Sequence, residues 1–280
     1  MAIADPAVPP AHSAEPSRRV TWLALTALAL VASAFLYNSP GGLLGKADAV
    51  GYAICHRIDV RSFHIGNIQF PLCARCTGIY LGVVLGIASL AALGRWRAGA
   101  MPPRRVTVAA VVFITLMGID GVNSYATLIP NIPHVYEPQN WLRLVTGILT
   151  GIAVSGLIYP VFNQTLWRQW QDAPIVRGLG EFFCLTLAAM VVAGLVLSDI
   201  SFILYPLALL SAGGVVMLMT MTNSIIFMLA TRTANKATRW REAWLPLAAG
   251  LTVSLSLTLL IDVMRFAVTH TWDGFIIPGA

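Results

Sequence analysis

Long apolar runs alternate with short polar connections along most of the chain. A helix that spans a membrane needs about 20 mostly apolar residues, and the runs that reach or approach this length are residues 20–37, 72–93, 106–128, 141–162, 179–197, 202–230 and 244–268. Only residues 198–201 separate the fifth and sixth runs, which should form a tight helical hairpin, with Pro206 marking the start of the sixth. The pattern predicts an all-α, polytopic membrane bundle of about seven transmembrane helices.

Small residues recur at fourfold spacing in two of these runs. They are Gly78, Gly82 and Gly86 in the second run and Gly147 and Gly151 in the fourth. Residues four apart share one face of a helix, and a stripe of glycines allows two helix backbones to approach closely. We therefore predict that the second and fourth helices lie inside the bundle rather than against lipid.

Basic residues are concentrated in alternate connections, and these predict an orientation. The basic-rich segments contain Arg18, Arg19, Arg95, Arg97, Arg104, Arg105, Arg168, Arg177, Arg232, Lys236, Arg239 and Arg241. Cytoplasmic loops carry an excess of Lys and Arg, so the amino terminus is expected in the cytoplasm and the carboxyl terminus outside. The first outer connection is an exception, since it carries Lys46, Arg57 and Arg61.

Composition supports the membrane assignment. The chain is 57% hydrophobic and 11% charged, with a mean hydropathy of +0.75, which exceeds what one soluble core can bury. The net charge of +6 lies in connections rather than on a folded surface, so we expect the lipid bilayer as partner and no nucleic acid. A disordered cytoplasmic tail (residues 1–17) and a carboxyl-terminal tail (271–280) should flank one transmembrane domain (18–270) in the plasma membrane.

The first outer connection, residues 38–72, is the longest connection and carries the first candidate ligands. A loop of this length usually has a function or structure of its own. Residues 47–58 favour a short helix that ends at Cys55 and His56, and His64 follows.

A second group of thiols opens the second membrane helix. Pro71 suits the start of that helix, and Cys73 and Cys76, three residues apart, then lie on one face of its first turn.

Three chemistries fit these residues. Zinc is bound tetrahedrally by Cys and His, so Cys73 and Cys76 would supply two ligands, Cys55 a third, and His56 or His64 the fourth. Alternatively, the thiol pKa values at a helix amino terminus beside Arg75 should be lowered, which suits a redox centre with Cys55 as exchanging partner. The third interpretation is a plain structural disulfide with one thiol left over.

Polar residues within the runs also fall in the half of the membrane that the cysteines occupy. Ionisable groups inside a membrane are costly and usually face a cavity or the bundle interior. We expect Asp120 to pair with Arg143, and Asp262 to pair with Arg265 three residues later. The full set is Asp120, Asn123, Asn140, Arg143, Asp262 and Arg265.

Several motifs resemble one known family. The stretches Ile54-Cys-His-Arg, Arg61-Ser-Phe and Pro71-Leu-Cys-Ala-Arg-Cys-Thr-Gly, with Asp120-Gly-Val-Asn and Asn140-Trp-Leu-Arg, are similar to the signature of an uncharacterised prokaryotic membrane family known as domain of unknown function 2085. The resemblance covers residues 47–156. It implies no settled activity, and it supports the choice of residues.

The leading functional hypothesis is an outward-facing Cys/His metal site, with zinc preferred over iron, above a polar cavity. Guanidinium groups suggest an anionic substrate such as a lipid headgroup, and an open metal position would activate water or polarise a phosphoryl oxygen. The candidate catalytic and cavity residues are Arg61, Arg75, Asp120, Asn123, Asn140 and Arg143. One alternative is a thiol oxidoreductase linked to a membrane quinone; another is a non-catalytic subunit with a closed four-ligand site.

Overall fold

A computed structural model describes residues 17–129 and 133–275. Within those residues, seven helices are long and apolar enough to cross a membrane, and one shorter helix lies in the first connection. The helices are α1 (Arg18–Asn38), α2 (Gly42–Ile54), α3 (Ala74–Ala92), α4 (Arg104–Ala126), α5 (Asn140–Leu166), α6 (Leu179–Leu197), α7 (Ser201–Ala230) and α8 (Trp240–Thr269). The predicted seven-helix membrane bundle is confirmed. The disordered tail predicted for residues 1–17 lies outside the described residues, apart from Ser17, and so do residues 276–280.

Two small sheets, which the sequence pattern did not predict, lie between the helices. A hairpin of β1 (Ser62–Ile65) and β2 (Ile68–Cys73) follows α2. A parallel pair of β3 (Ala98–Ala100) and β4 (Gln171–Pro174) joins the connections after α3 and α5. The last residue of the β1–β2 hairpin, Cys73, directly precedes α3.

Contacts between connections define the two ends of the bundle. At one end, Asn140 donates to the carbonyl of Val60 at 3.1 Å and Arg61 donates to Thr127 Oγ1 at 3.2 Å. We call this end, which carries α2 and the β1–β2 hairpin, the cysteine face. At the opposite face, Arg97 donates to the carbonyl of Thr238 at 2.8 Å. The basic-rich connections lie at this opposite face; its assignment to the cytoplasm stays a prediction.

The pair α3 and α5 forms the centre of the bundle. An added Cβ at Gly78 would clash with the carbonyl oxygen of Leu144, and one at Gly82 would lie 3.0 Å from the Cα of Gly151. Of the apolar window of α5, 67% is buried, more than in any other described span. The glycine stripes therefore serve close helix packing, as predicted.

Apolar side chains fill the remaining interior in two clusters. The larger one joins α3 to α7 through residues of α5 and α6. The smaller one surrounds the cysteines and contains Phe35, Ala47, Ala49, Val50, Cys55, Leu72, Cys73, Ala212 and Val215. Apolar side chains of α1, α2 and α7 thus cover one side of the cysteines.

Three details of the predicted boundaries are wrong. The α6–α7 hairpin is confirmed, but α7 begins at Ser201 and Pro206 lies inside it, because proline has a helical φ and removes only one donor. The short helix of the first connection spans Gly42–Ile54 rather than 47–58. Pro71 lies in β2 and not at the start of α3, because its carbonyl packs against Gly51 and holds the segment extended.

Candidate metal centre and anion site

Three cysteines meet where α2, β2 and α3 converge. Helix α2 ends at Ile54, so Cys55 is extended and points out of the helical path. Strand β2 ends at Cys73, which is also the residue before α3, and Cys76 lies in the first turn of that helix. The three Sγ atoms all lie within 4.8 Å of one another, and all three thiols are free.

Two contacts hold Cys55 against the other thiols. Gly51 of α2 lies so close to the carbonyl of Pro71 that no Cβ would fit between them. Arg265 of α8 donates to the carbonyls of Tyr52 at 2.6 Å and Cys55 at 2.9 Å, which satisfies carbonyls at the carboxyl end of α2 that lack helical partners. The position of Cys55 is thus fixed from two sides.

Hydrogen bonds among the three thiols give Cys55 and Cys73 different pKa values. Hydrogen bonds from the Cys73 and Cys76 thiols lower the pKa of Cys55 well below its usual range. The bond that Cys73 makes to Cys55 raises the pKa of Cys73 to about 12. The backbone N–H of Cys73 also donates to Cys55 Sγ at 3.3 Å. Cys55 is therefore the first of this pair to ionise.

The donor set fits a thiophilic metal ion. Three thiolates bound to one zinc at about 2.3 Å would stand about 3.8 Å apart in tetrahedral geometry, and these sulfurs all lie within 4.8 Å of one another. Among the described residues, the group of potential ligands contains Cys55, Cys73 and Cys76, and neither His56 nor His64 belongs to it. The described part of the chain thus offers three candidate ligands in this group.

The two histidines make other contacts. His64 lies on β1 and its Nε2 is 2.9 Å from an Asp59 carboxylate oxygen, in an exposed ion pair. His56 is half-buried, and its Nδ1 accepts the backbone N–H of Ile58 at 3.0 Å. Burial lowers the pKa of His56, and the charges of nearby guanidiniums lower it further, while Cys55 opposes this.

Asp120 in α4 lies at the centre of a polar cluster beside the cysteines. Its carboxylate pairs with Arg75 of α3 and accepts the hydroxyl of Tyr136 at 2.8 Å. The predicted pair of Asp120 with Arg143 is wrong. Arg143 instead donates to Ser124 Oγ at 2.9 Å, because Ser124 lies one turn nearer the cysteine face, level with the start of α5.

Three buried guanidiniums converge in this cluster. Arg61 is 6% exposed, Arg143 is 5% exposed, and the side chain of Arg75 is 12% exposed. Their charges act on one another and on His56. Among the described residues, Asp120 is the one carboxylate that pairs with any of the three. The cluster therefore carries an excess of positive charge.

The remaining predicted polar residues, Asn140 and Asn123, also belong to this cluster. Asn140 accepts a bond from Arg143 at 2.7 Å. Asn123 accepts the N–H of Val135 at 2.7 Å and donates to the carbonyl of Tyr136 at 2.8 Å, so it folds the α4–α5 connection over the site. The structure thus brings the cavity residues together and places His64 elsewhere.

Sequence reasoning missed three residues of the site. Ser124 and Thr127 bind Arg143 and Arg61, and their spacing of four and seven residues after Asp120 puts them on its face of α4, a signal that was available. Tyr136 lies in an irregular connection, where no periodicity could have pointed to it.

Comparison with known proteins agrees with this picture. Residues 55–157 match a family described as predicted membrane protein (DUF2085). An uncharacterised protein of Methanocaldococcus jannaschii is 29% identical over 123 residues, which cover 44% of this chain and 72% of that protein. An uncharacterised protein of Methanothermobacter thermautotrophicus is 32% identical over 105 residues, which cover 37% of this chain and 83% of that protein. No solved structure matches the chain.

Proposed function

We propose that this chain, which belongs to the DUF2085 family of predicted membrane proteins, is a membrane enzyme that uses a thiolate-held zinc ion on a phosphate-bearing substrate. One observation carries the proposal: three convergent sulfurs adjoin three largely buried guanidiniums, of which one, that of Arg75, pairs with a carboxylate among the described residues. A substrate bound there would lie at the cysteine face, at the level where the spanning helices begin and end.

The ligand count favours a catalytic over a structural metal. Structural zinc sites are closed by four protein ligands, whereas catalytic sites keep one position for water or substrate. Here the three ligands are Cys55, Cys73 and Cys76. Zinc in such a site would supply a Lewis acid that polarises a phosphoryl oxygen. The non-catalytic hypothesis needs a fourth ligand, and the described His, Cys, Asp and Glu residues do not supply one within this group.

The charge of the pocket selects an anion. Zinc held by three thiolates carries one net negative charge, Asp120 carries another, and Arg61, Arg75 and Arg143 carry three positive charges. One positive charge is left over for a ligand. Guanidinium groups match the geometry of phosphate oxygens by donating two parallel hydrogen bonds. Phosphate, as a lipid headgroup or in a soluble ester, is the substrate chemistry that this pocket fits.

His56 has the right tautomer to donate a hydrogen bond from Nε2 to a bound ligand. Because its Nδ1 accepts the N–H of Ile58, the neutral ring carries its proton on Nε2. A neutral imidazole of this form is a hydrogen-bond donor at Nε2 and a poor metal ligand there. We assign His56 the role of donating a hydrogen bond from Nε2 to an oxygen of the substrate, rather than of binding zinc.

Metal content tests the first half of the proposal. Detergent-purified protein should contain about one zinc per chain, the number expected for one three-thiolate site, measured by elemental mass spectrometry. Cys76→Ser should lose the metal. Cys184→Ser is the matched control, because Cys184 is exposed on α6 and lies outside the sulfur group. Wild-type protein without bound metal would contradict the proposal.

Phosphate binding tests the second half. Titration with inorganic phosphate should show binding to zinc-loaded protein that is weakened about tenfold or more in Arg143→Gln, the cost of a lost charge-assisted contact. Arg104→Gln removes an exposed guanidinium at the opposite face and should bind as wild type does. Vesicles that contain phosphatidic acid, compared with soluble phosphate esters, distinguish a lipid from a soluble substrate.

A second candidate function rests on the difference in pKa between Cys55 and Cys73. The lowered pKa of Cys55 and the raised pKa of Cys73 are the pattern of an attacking and a resolving cysteine. In that case a thiolate of a protein dithiol attacks Cys55 in a Cys55–Cys73 disulfide, which releases Cys73 and forms a mixed disulfide with Cys55. The second thiol of the substrate then displaces Cys55, and a membrane quinone accepts the two electrons when the cysteine pair is reoxidised. A trapped mixed disulfide in a Cys73→Ser variant, with no bound metal in wild type, would favour this function over zinc.

A further inference from the structure

A line of small and polar residues follows the buried face of α8. Gly250, Ser254, Thr258 and Asp262 are spaced by four and are all buried. The hydroxyls are satisfied: Ser254 donates to the carbonyl of Gly250 at 2.7 Å, and Thr258 donates to the carbonyl of Ser254 at 3.0 Å. Asn223 of α7 donates to Ser254 Oγ at 2.9 Å. The line ends at Asp262, whose carboxyl group differs from these hydroxyls in its hydrogen bonding.

Asp262 is buried without a partner. It is 2% exposed, and among the described residues its Oδ1 has no hydrogen-bond partner and its carboxyl forms no ion pair. The predicted pair with Arg265 is therefore wrong for this structure. Arg265 instead donates to the carbonyls of Tyr52 and Cys55, and its guanidinium lies 3.9 Å from the centre of the Tyr52 ring.

The helices packed against α8 offer Asp262 no other countercharge. These helices are α1, α2 and α7, and α7 contains no Asp, Glu, Lys, Arg or His. The arginines of α1 stand at its opposite end. The charged groups of α2 are engaged elsewhere, Lys46 with the carbonyl of Ser39 and Asp48 with Arg57. The tyrosines on these three helices are Tyr37, Tyr52 and Tyr205.

A carboxylate in this setting would be an unpaired charge inside a membrane span, which is a costly state. The protonated acid needs far less solvation, since it carries no net charge. Arg265 lies three residues further along the same helix, close enough to pair with a carboxylate at position 262, and its Nε also lacks a partner. Loss of the proton would therefore favour movement of Arg265 from the α2 carbonyls to Asp262.

We propose that Asp262 is a proton-binding site that controls the anchor on Cys55. With the proton bound, Arg265 holds the carbonyls of Tyr52 and Cys55 as described. When the proton leaves to water at the cysteine face, about two helical turns away, Arg265 pairs with the Asp262 carboxylate and releases the end of α2. The position of one of the three sulfurs thus depends on the protonation of a residue in α8. This coupling does not depend on what the cysteines bind.

Infrared spectroscopy tests the protonation directly. The full-length protein in nanodiscs should show the carbonyl stretch of a protonated carboxylic acid at neutral pH. That band should be absent in Asp262→Asn, shifted in Asp262→Glu, and retained in Asp199→Asn, which changes an exposed aspartate in the α6–α7 connection. A wild-type protein without the band, or a band that persists in Asp262→Asn, overturns the proposal.

Hydrogen exchange tests the coupling. After correction for the intrinsic effect of pH, backbone amides near Tyr52 and Cys55 in wild type should lose protection at alkaline pH, while the same amides in Asp262→Asn keep it. If Asp262→Asn does not fold, Asp262→Glu replaces it and should lose protection over a different pH range from wild type. Equal pH dependence in wild type and the folded variant overturns the coupling even where the infrared band is present.

Discussion

At the scale of single residues, the cysteine face differs from the rest of the molecule in burying charge. Arg61, Arg75, Asp120 and Arg143 lie within or beside membrane spans, where each charged group must find a partner. Their presence together was predictable from the sequence, because polar residues of three spans fall at one level of the membrane. Their pairing could not be predicted, because whether Asp120 pairs with Arg75 or with Arg143 depends on the directions of side chains that lie on different helices.

The buried pair of Asp120 with Arg75 should contribute strongly to stability. Asp120→Asn leaves the Arg75 guanidinium without its countercharge, and we expect the free energy of unfolding to fall by about 3 kcal/mol. Unfolding in mixed detergent micelles measures the change. Asp59→Asn changes an aspartate whose contact with His64 is exposed to solvent, and it should lower the free energy of unfolding by less than about 0.5 kcal/mol. Equal losses in the two variants would show that burial of the pair is unimportant.

His56 should make stability depend on pH. Its folded-state pKa lies below the ordinary value of 6.5, so the unfolded chain takes up a proton more readily than the folded one. Stability is then fully present above about pH 6.5 and falls as the pH drops below it. Thermal unfolding of metal-free protein should show this fall in wild type and a smaller one in His56→Gln. A fall that is unchanged in His56→Gln would contradict the assignment.

At the scale of elements, two close approaches determine the site. Glycine stripes let α3 and α5 meet, and the contact of Gly51 with Pro71 brings α2 to β2. The first was predicted because helical periodicity is visible over many residues. The β1–β2 hairpin was missed because its strands are short and one contains a proline, so tertiary packing rather than local pattern determines their conformation.

The α3–α5 interface should not tolerate a single added methyl group. In Gly151→Ala the new Cβ would meet the Cα of Gly82 at 2.7 Å and the carbonyl of Ile79. The helices must then separate, and we expect a loss of about 2 kcal/mol in the free energy of unfolding. Gly118→Ala in α4, where nothing lies within 4 Å of the added atom, is the matched control and should change stability by less than about 0.5 kcal/mol.

At the scale of the whole molecule, composition and apolar periodicity were enough to predict the helical membrane bundle and the face that carries the cysteines. The site itself was predicted only in outline. The grouping of the three cysteines, and the position of Asp120 in the same half of the membrane, could be predicted from residue spacing and the order of the spans. The role of Tyr136 and the hydrogen bonds from Arg265 to the end of α2 could not, because they depend on contacts between distant parts of the chain.

The predicted orientation has a direct test. Val135 at the cysteine face and Lys236 at the opposite face are both exposed. In a Cys184→Ser background, a cysteine at position 135 should react with a membrane-impermeant maleimide in intact cells. A cysteine at position 236 should react only after permeabilisation, because basic connections stay cytoplasmic. The parent without a new cysteine gives the baseline, and the reverse pattern would invert the orientation.

The two hydrogen bonds from Arg265 to the carboxyl end of α2 also join the region that matches the family to the rest of the chain. The family match ends at residue 157, so all three sulfurs lie inside the shared region and Arg265 lies far beyond it. The position of a sulfur in the matched region therefore depends on a contact from a helix outside that region. A substitution in α8 should alter the environment of Cys55 without changing any of the three cysteines.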